Sequence, residues 1–205
     1  MNKTYKVFGA IAAVTMLMGL AEARADGDTG RFMKVGSVAS APAGHTGFCM
    51  EFPDECQSRG DQPVVVKIDS DRWDELIAIN AEVNRRIRPV TDMELFGVEE
   101  YWTYPTDGAG DCEEYVLEKQ RVLESRGWPR SALLITVVKD TNNSGHAVLT
   151  VRTDKGDVIL DNQIEAVLPW YSAPYRFVKR QSASNPARWA AISDLRVSTV
   201  ASLKN

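Results

Sequence analysis

Two stretches of this chain repeat apolar residues at helical spacing. In the first, Trp73, Leu76, Ile77, Val83 and Ile87 form one stripe, with Asn80, Asn84, Arg85 and Arg88 on the wetter face. Asp69-Ser70 caps this helix and Arg88-Pro89 ends it. In the second, Tyr115, Val116, Lys119, Val122 and Leu123 keep step until Arg126-Gly127-Trp128-Pro129. Strand patterns follow at 132–138, 146–151 and 158–161, separated by turns at 140–145 and 153–157, which makes an antiparallel meander. Residues 175–178 read as a fourth strand, 63–68 as another short one, and Phe32, Met33 and Val35 as an edge strand. Residues 26–47 read as a surface arm, 91–106 as a loop rich in large side chains, and 185–191 as a turn or short helix. The prediction is one α+β domain, helices packed against an antiparallel sheet.

Ahead of that domain, Lys3 and Lys6 precede an uncharged run over 7–20, and Ala23-Arg24-Ala25 follows. This is the layout of a secretory signal peptide over 1–25, leaving a domain over 26–205. The run is short of the ~20 residues that cross a bilayer, and no cysteine marks a lipid anchor. The remaining 180 residues carry 21 basic and 27 acidic side chains, a formal charge of −6. A chain of that length buries roughly 70% of its unfolded surface without a structural metal. No basic patch stands out, which excludes nucleic acid as the expected partner.

Export makes the three cysteines informative. Cys49 and Cys56, seven apart, can close a small disulfide loop. Cys112 then lacks a partner, and it stands in the first turn of a helix that opens Gly108-Ala109-Gly110-Asp111-Cys112-Glu113-Glu114. A helix N-terminus favours thiolate over thiol, the condition for a nucleophile. An inert core thiol and a bond to Cys49 or Cys56 are the other readings of this residue. His146 opens one strand and Asp161 closes the next, so an antiparallel hairpin makes them neighbours across fifteen residues. Aspartate there fixes the imidazole tautomer and leaves its other nitrogen for a thiol. A solvated His and a turn-forming Asp are the structural alternatives.

Three blocks taken in order, Gly110-Asp111-Cys112-Glu113-Glu114-Tyr115, Gly145-His146-Ala147-Val148-Leu149 and Leu160-Asp161-Asn162, resemble the bacterial transglutaminase-like cysteine peptidase family. Its best understood members are periplasmic proteases that release large surface adhesins. The resemblance implies a papain-like core and Cys112 as nucleophile. His146 would be its general base and later acid, with Asp161 as the orienting residue. Trp102, in Tyr101-Trp102-Thr103-Tyr104-Pro105, would line the cleft and help hold an oxyanion. It implies hydrolysis of a peptide bond in an envelope or surface protein, possible Ca²⁺ at Asp111, Glu113 and Glu114, a periplasmic location, no organic cofactor and an inner-membrane regulatory receptor as a further partner. Three adjacent carboxylates are a hard-oxygen set suited to Ca²⁺. Glu114 departs from the family's usual Asp, and the connection 106–109 is shorter than is common there. A transglutaminase or deamidase would use the same three residues; a non-catalytic exported module would use none of them.

Overall fold

The computed structural model describes Met1, residues 30–58, Gly60, residues 62–105 and residues 107–196. Residues 2–25 of the expected signal peptide thus lie outside the described residues. Among those described, no helix is long and apolar enough to cross a membrane. In chain order the elements are β1 (Val35–Ala39), α1 (Ala43–Glu51), α2 (Pro53–Cys56), α3 (Ser70–Arg86), β2 (Arg88–Pro89), α4 (Asp92–Phe96) and β3 (Ala109–Gly110). There follow α5 (Cys112–Ser125), β4 (Leu133–Lys139), β5 (Gly145–Thr153), β6 (Gly156–Leu160), β7 (Leu168–Pro169), β8 (Arg176–Ser182) and β9 (Asn185–Ile192).

The expected meander forms the middle of a seven-stranded antiparallel sheet in the order β1-β9-β8-β4-β5-β6-β7. β4 and β5 are rich in β-branched and aliphatic residues because they sit between neighbours on both edges and are covered. Leu133, Ile135, Leu149 and Val151 are fully buried there, with Leu117 and Leu123 of α5 in the same core. Each such side chain contributes about 1.5–3 kcal/mol relative to exposure. The hydroxyls of Thr136 and Thr150, inside this sheet, satisfy each other at 2.6 Å. Helix α5 packs on β5 and on α3, so the sheet fixes the direction of the helix that carries Cys112.

Several local expectations change. Residues 63–68 form no strand: Val66 makes a single bridge to Thr153, and Val64 and Val65 stay 37% and 47% exposed. Residues 185–191 are the strand β9, held between β1 and β8; its alanines look helical, but sheet pairing outweighs so weak a local preference. The edge strand begins where it was expected to finish, at Val35. The end of the supposed arm is α1, and part of the loop over 91–106 is α4, capped by Thr91 and closed by Gly97 at φ 73°. In α3, capped by Asp69 through the Arg72 N–H at 2.9 Å, the buried face takes Ile79 and Asn80 and leaves Ile77 outside. Asn80 and Asn84 are therefore not on a wet face. Their amides donate to the carbonyls of Glu165 and Asp161 at 2.9 and 2.8 Å, which holds the loop after β6 against α3.

Cys49 and Cys56 form a disulfide that joins α1 to α2, with Cα atoms 5.5 Å apart. Helix α1 lies against Trp102, and Gly44 makes that approach possible: a Cβ there would sit 2.3 Å from the indole Cδ1. Gly44→Ala is expected to lower stability by about 1–3 kcal/mol through overpacking, although alanine is the better helix former. Thermal unfolding and near-ultraviolet circular dichroism of the tryptophans check this.

Candidate active site

Asp111 is the N-cap of α5, and its backbone N–H donates to the Glu114 carboxylate at 2.9 Å. Gly110 is a tight fit beside that carboxylate, because a Cβ there would lie 2.5 Å from Glu114 Cβ. Cys112, in the first turn, is the free cysteine among the described residues and is partly buried. On β5 the second residue is His146, buried, whose Nε2 lies 2.8 Å from Asp161 Oδ1. Asp161 follows β6 and is buried as well. With Nε2 bound to a carboxylate, Nδ1 is the acceptor nitrogen, and the Gln163 side-chain amide donates to it at 3.3 Å.

Cys112 and His146 line two adjoining clefts of about 240 and 260 Å³. Trp102, Glu113 and Lys179 wall the first; Thr91, Asn162 and Gln163 wall the second. The Cys112 thiol donates its hydrogen bond to Glu113 Oε2 at 2.9 Å, while the imidazole hydrogen bonds go to Asp161 and Gln163. Cys112, His146 and Asp161 are thus brought together at one end of β5 and β6. Trp102 is buried in the cleft wall, and its indole N–H donates to Glu100 at 3.2 Å, which leaves that donor engaged with a carboxylate.

The charges of the site follow from burial first. Desolvation acts to raise the Asp161 carboxyl, but hydrogen bonds from His146, the Tyr175 hydroxyl and the Gln163 backbone N–H outweigh it and hold the group below its ordinary value. Tyr175 is pushed up by burial and by Asp161, so it stays a phenol donor. Burial also raises the Cys112 thiol well above its usual range, and Glu113 and Asp111 add to this; only the Ala147 N–H opposes them. Burial and Asp111 push Glu113 up to about 9. Glu114 rises to about 8 and Asp92 to about 6, again from burial first.

The three acids expected to cluster are divided. Glu113 groups with Asp111 and Cys112, whereas Glu114 groups with Asp111 and Asp92, ligand atoms in each set lying within 4.8 Å of one another. Sequence reasoning missed Asp92, Gln163 and Tyr175. Asp92 lay in a stretch read as loop, and Tyr175 was read only as the start of a strand. Gln163, two residues past Asp161, had the one usable signal, since an amide just beyond the orienting acid is well placed to reach the ring.

The family model described as bacterial transglutaminase-like cysteine proteinase matches residues 35–197. No curated protein sequence matches significantly. Among solved structures, Legionella pneumophila LapG is 29% identical over 58% of this chain and 68% of that one, with a TM-score of 0.50. Its EGTA-treated form is 28% identical over 60% and 72%, TM-score 0.50. Its calcium-bound form is 25% identical over 64% and 74%, TM-score 0.51. The α+β fold with a papain-like core, a capped cysteine helix on an antiparallel sheet, agrees with these matches.

Glu113→Gln removes the carboxylate bonded to the sulfur. The pH midpoint of Cys112 alkylation by iodoacetamide is expected to move down by about one unit. An unmoved midpoint would mean that Glu113 places no charge on the thiol.

Proposed function

This chain belongs to the bacterial transglutaminase-like cysteine proteinase family, and from that premise we propose that it is an exported cysteine peptidase that cuts a surface or envelope protein, an adhesin being the substrate the family resemblance suggests. The observation that carries this reading is the shared cleft of Cys112 and His146, with Asp161 on the far ring nitrogen. His146 Nδ1, once Gln163 yields it, takes the Cys112 proton. The thiolate attacks the amide carbonyl, and backbone N–H groups at the start of α5 hold the developing oxyanion. The imidazolium then protonates the leaving amine, and water releases the thioester. With a glutamine side-chain amide as the acyl donor, the same steps release ammonia, and the thioester passed to a lysine amine would make a transglutaminase, passed to water a deamidase. In this reading residues 1–25 are a signal peptide, 26–205 are one peptidase domain, and the site of action is the periplasm, with an inner-membrane receptor as possible regulator.

A calcium ion fits the acids beside the cleft. Asp92 Oδ1 and Asp111 Oδ1 are buried with no hydrogen-bond donor among the described residues, and Glu114 completes the hard-oxygen set. Asp92, Asp111 and Glu114 would hold the ion, in place of the set Asp111, Glu113 and Glu114. Its chemistry would be neutralisation of charge next to the nucleophile.

Cys112→Ala is expected to fold normally and to lose all peptide cleavage and all native-state iodoacetamide labelling. Mass spectrometry of envelope proteins shed by cells with either form identifies the substrate, and new termini, amine adducts or deamidated glutamines distinguish the three reactions. Turnover retained in the variant would refute the peptidase reading.

The metal reading has its own pH signature. Asp92 and Glu114 have folded values above their unfolded ones, so the stability they support is complete at low pH. It is lost as pH rises through about 6 and about 8. With chelator present, the melting temperature should fall by roughly 5 °C between pH 5.5 and pH 9. Calcium should abolish most of that fall; an identical fall with calcium present would count against the site.

A further inference from the structure

Five of the nine residues from Met93 to Tyr101 are large and apolar or aromatic: Met93, Leu95, Phe96, Val98 and Tyr101. Each stands 36–53% exposed. Single exposed hydrophobes are ordinary on a protein surface, but a run of this density marks a contact face. The backbone beneath it is tied down. The Thr91–Glu94 capping box opens α4 and Gly97 closes it, and the buried Asp92 carboxylate accepts the Tyr101 backbone N–H, which fastens the end of the run to its start. The Phe96 and Tyr101 ring centroids lie 4.7 Å apart, and the Tyr101 hydroxyl donates to Glu51 at 2.9 Å. Rings already held in place lose little freedom when something covers them, which favours binding.

The position and charge of the run identify what covers it. Thr91 and Glu94 line the second Cys112–His146 cleft, while Glu100 and Trp102 line the first, so the run borders both. Residues 89–118 hold nine carboxylates and no lysine, arginine or histidine. Glu94, Glu99 and Glu100 are exposed among the apolar side chains, apart from the acids suited to an ion. Two cations stand at the borders: Arg88 on β2, and Lys179 of β8 in the wall of the first cleft. The Lys179 ammonium already donates to the Ser40 carbonyl at 2.8 Å, and the described lining of the second cleft holds no lysine or arginine. Apolar side chains set among acids attract a segment that is both apolar and basic, and repel an acidic one.

We propose that residues 93–101 are the platform on which the substrate docks, and that it selects a segment carrying a large apolar side chain together with lysine or arginine close to the cut bond. This rests on the peptidase reading of Cys112, His146 and Asp161 and deepens it, by naming the chemistry of the segment that reaches them.

The test reads binding apart from turnover. The Cys112→Ala chain, immobilised, is offered a synthetic library of 14-residue peptides randomised at every position, and the retained pool is sequenced by mass spectrometry. Lysine or arginine, together with leucine, isoleucine, phenylalanine or methionine, should be enriched about threefold over the input, with aspartate and glutamate depleted. The basic enrichment should shrink in 1 M salt, where charges are screened within about 3 Å. Adding Phe96→Ser, Glu99→Lys and Glu100→Lys, all at exposed positions, should abolish both enrichments. An unbiased pool, or the same bias from the altered chain, would overturn the proposal. So would a dimer in sedimentation that Phe96→Ser dissolves, since a second copy would then be the occupant. The intact chain cutting library peptides without this bias would refute the platform alone. The expected bias in a chain that cuts none of them would refute the peptidase reading alone.

Discussion

The carboxylate of Asp161 is the interaction on which the rest of the site depends. One oxygen takes the His146 ring and the Gln163 backbone N–H, the other takes the Tyr175 hydroxyl, and the residue's own carbonyl takes Asn84. Four separate parts of the chain therefore meet at a single buried residue: β5, the loop after β6, the approach to β8, and α3. A hydrogen bond to a charged partner contributes about 1.5–3 kcal/mol, and an orphaned buried donor costs a similar amount. The imidazole is held by that closed set, so its second nitrogen points where the surrounding structure places it.

The sulfur lies in the opposite environment. A helix N-terminus offers roughly half a positive charge, which does not offset burial and the neighbouring Glu113 and Asp111. The net direction is a raised thiol, and a partner base or a cation has to supply what the dipole lacks.

The parts of this arrangement that were legible in sequence share one property: each follows from local chain geometry. A capped helix puts Cys112 in its first turn, and two short hairpin turns make His146 and Asp161 neighbours. The partners that escaped notice arrive from elsewhere. Asp92 comes from α4, hidden in a stretch that looked aperiodic, and meets Asp111 only because β2 and β3 pair over Arg88–Pro89 and Ala109–Gly110. Asn84 sits among charged residues, which suggested solvent, yet it is turned inward to hold a loop. Lys119 was visible on the apolar stripe, but spacing alone does not tell a stem that bends to water from one sealed inside. β9 was missed because small residues carry little strand signal and a proline stands at its second position, whereas 63–68 has the composition of a strand and too few neighbours to become one.

The paired hollows on either side of the Cys112–His146 seam have a mechanical corollary. Helix α5 and the sheet form walls that cannot spread without breaking the core, so anything that settles against Cys112 and His146 must adapt to a surface that does not yield.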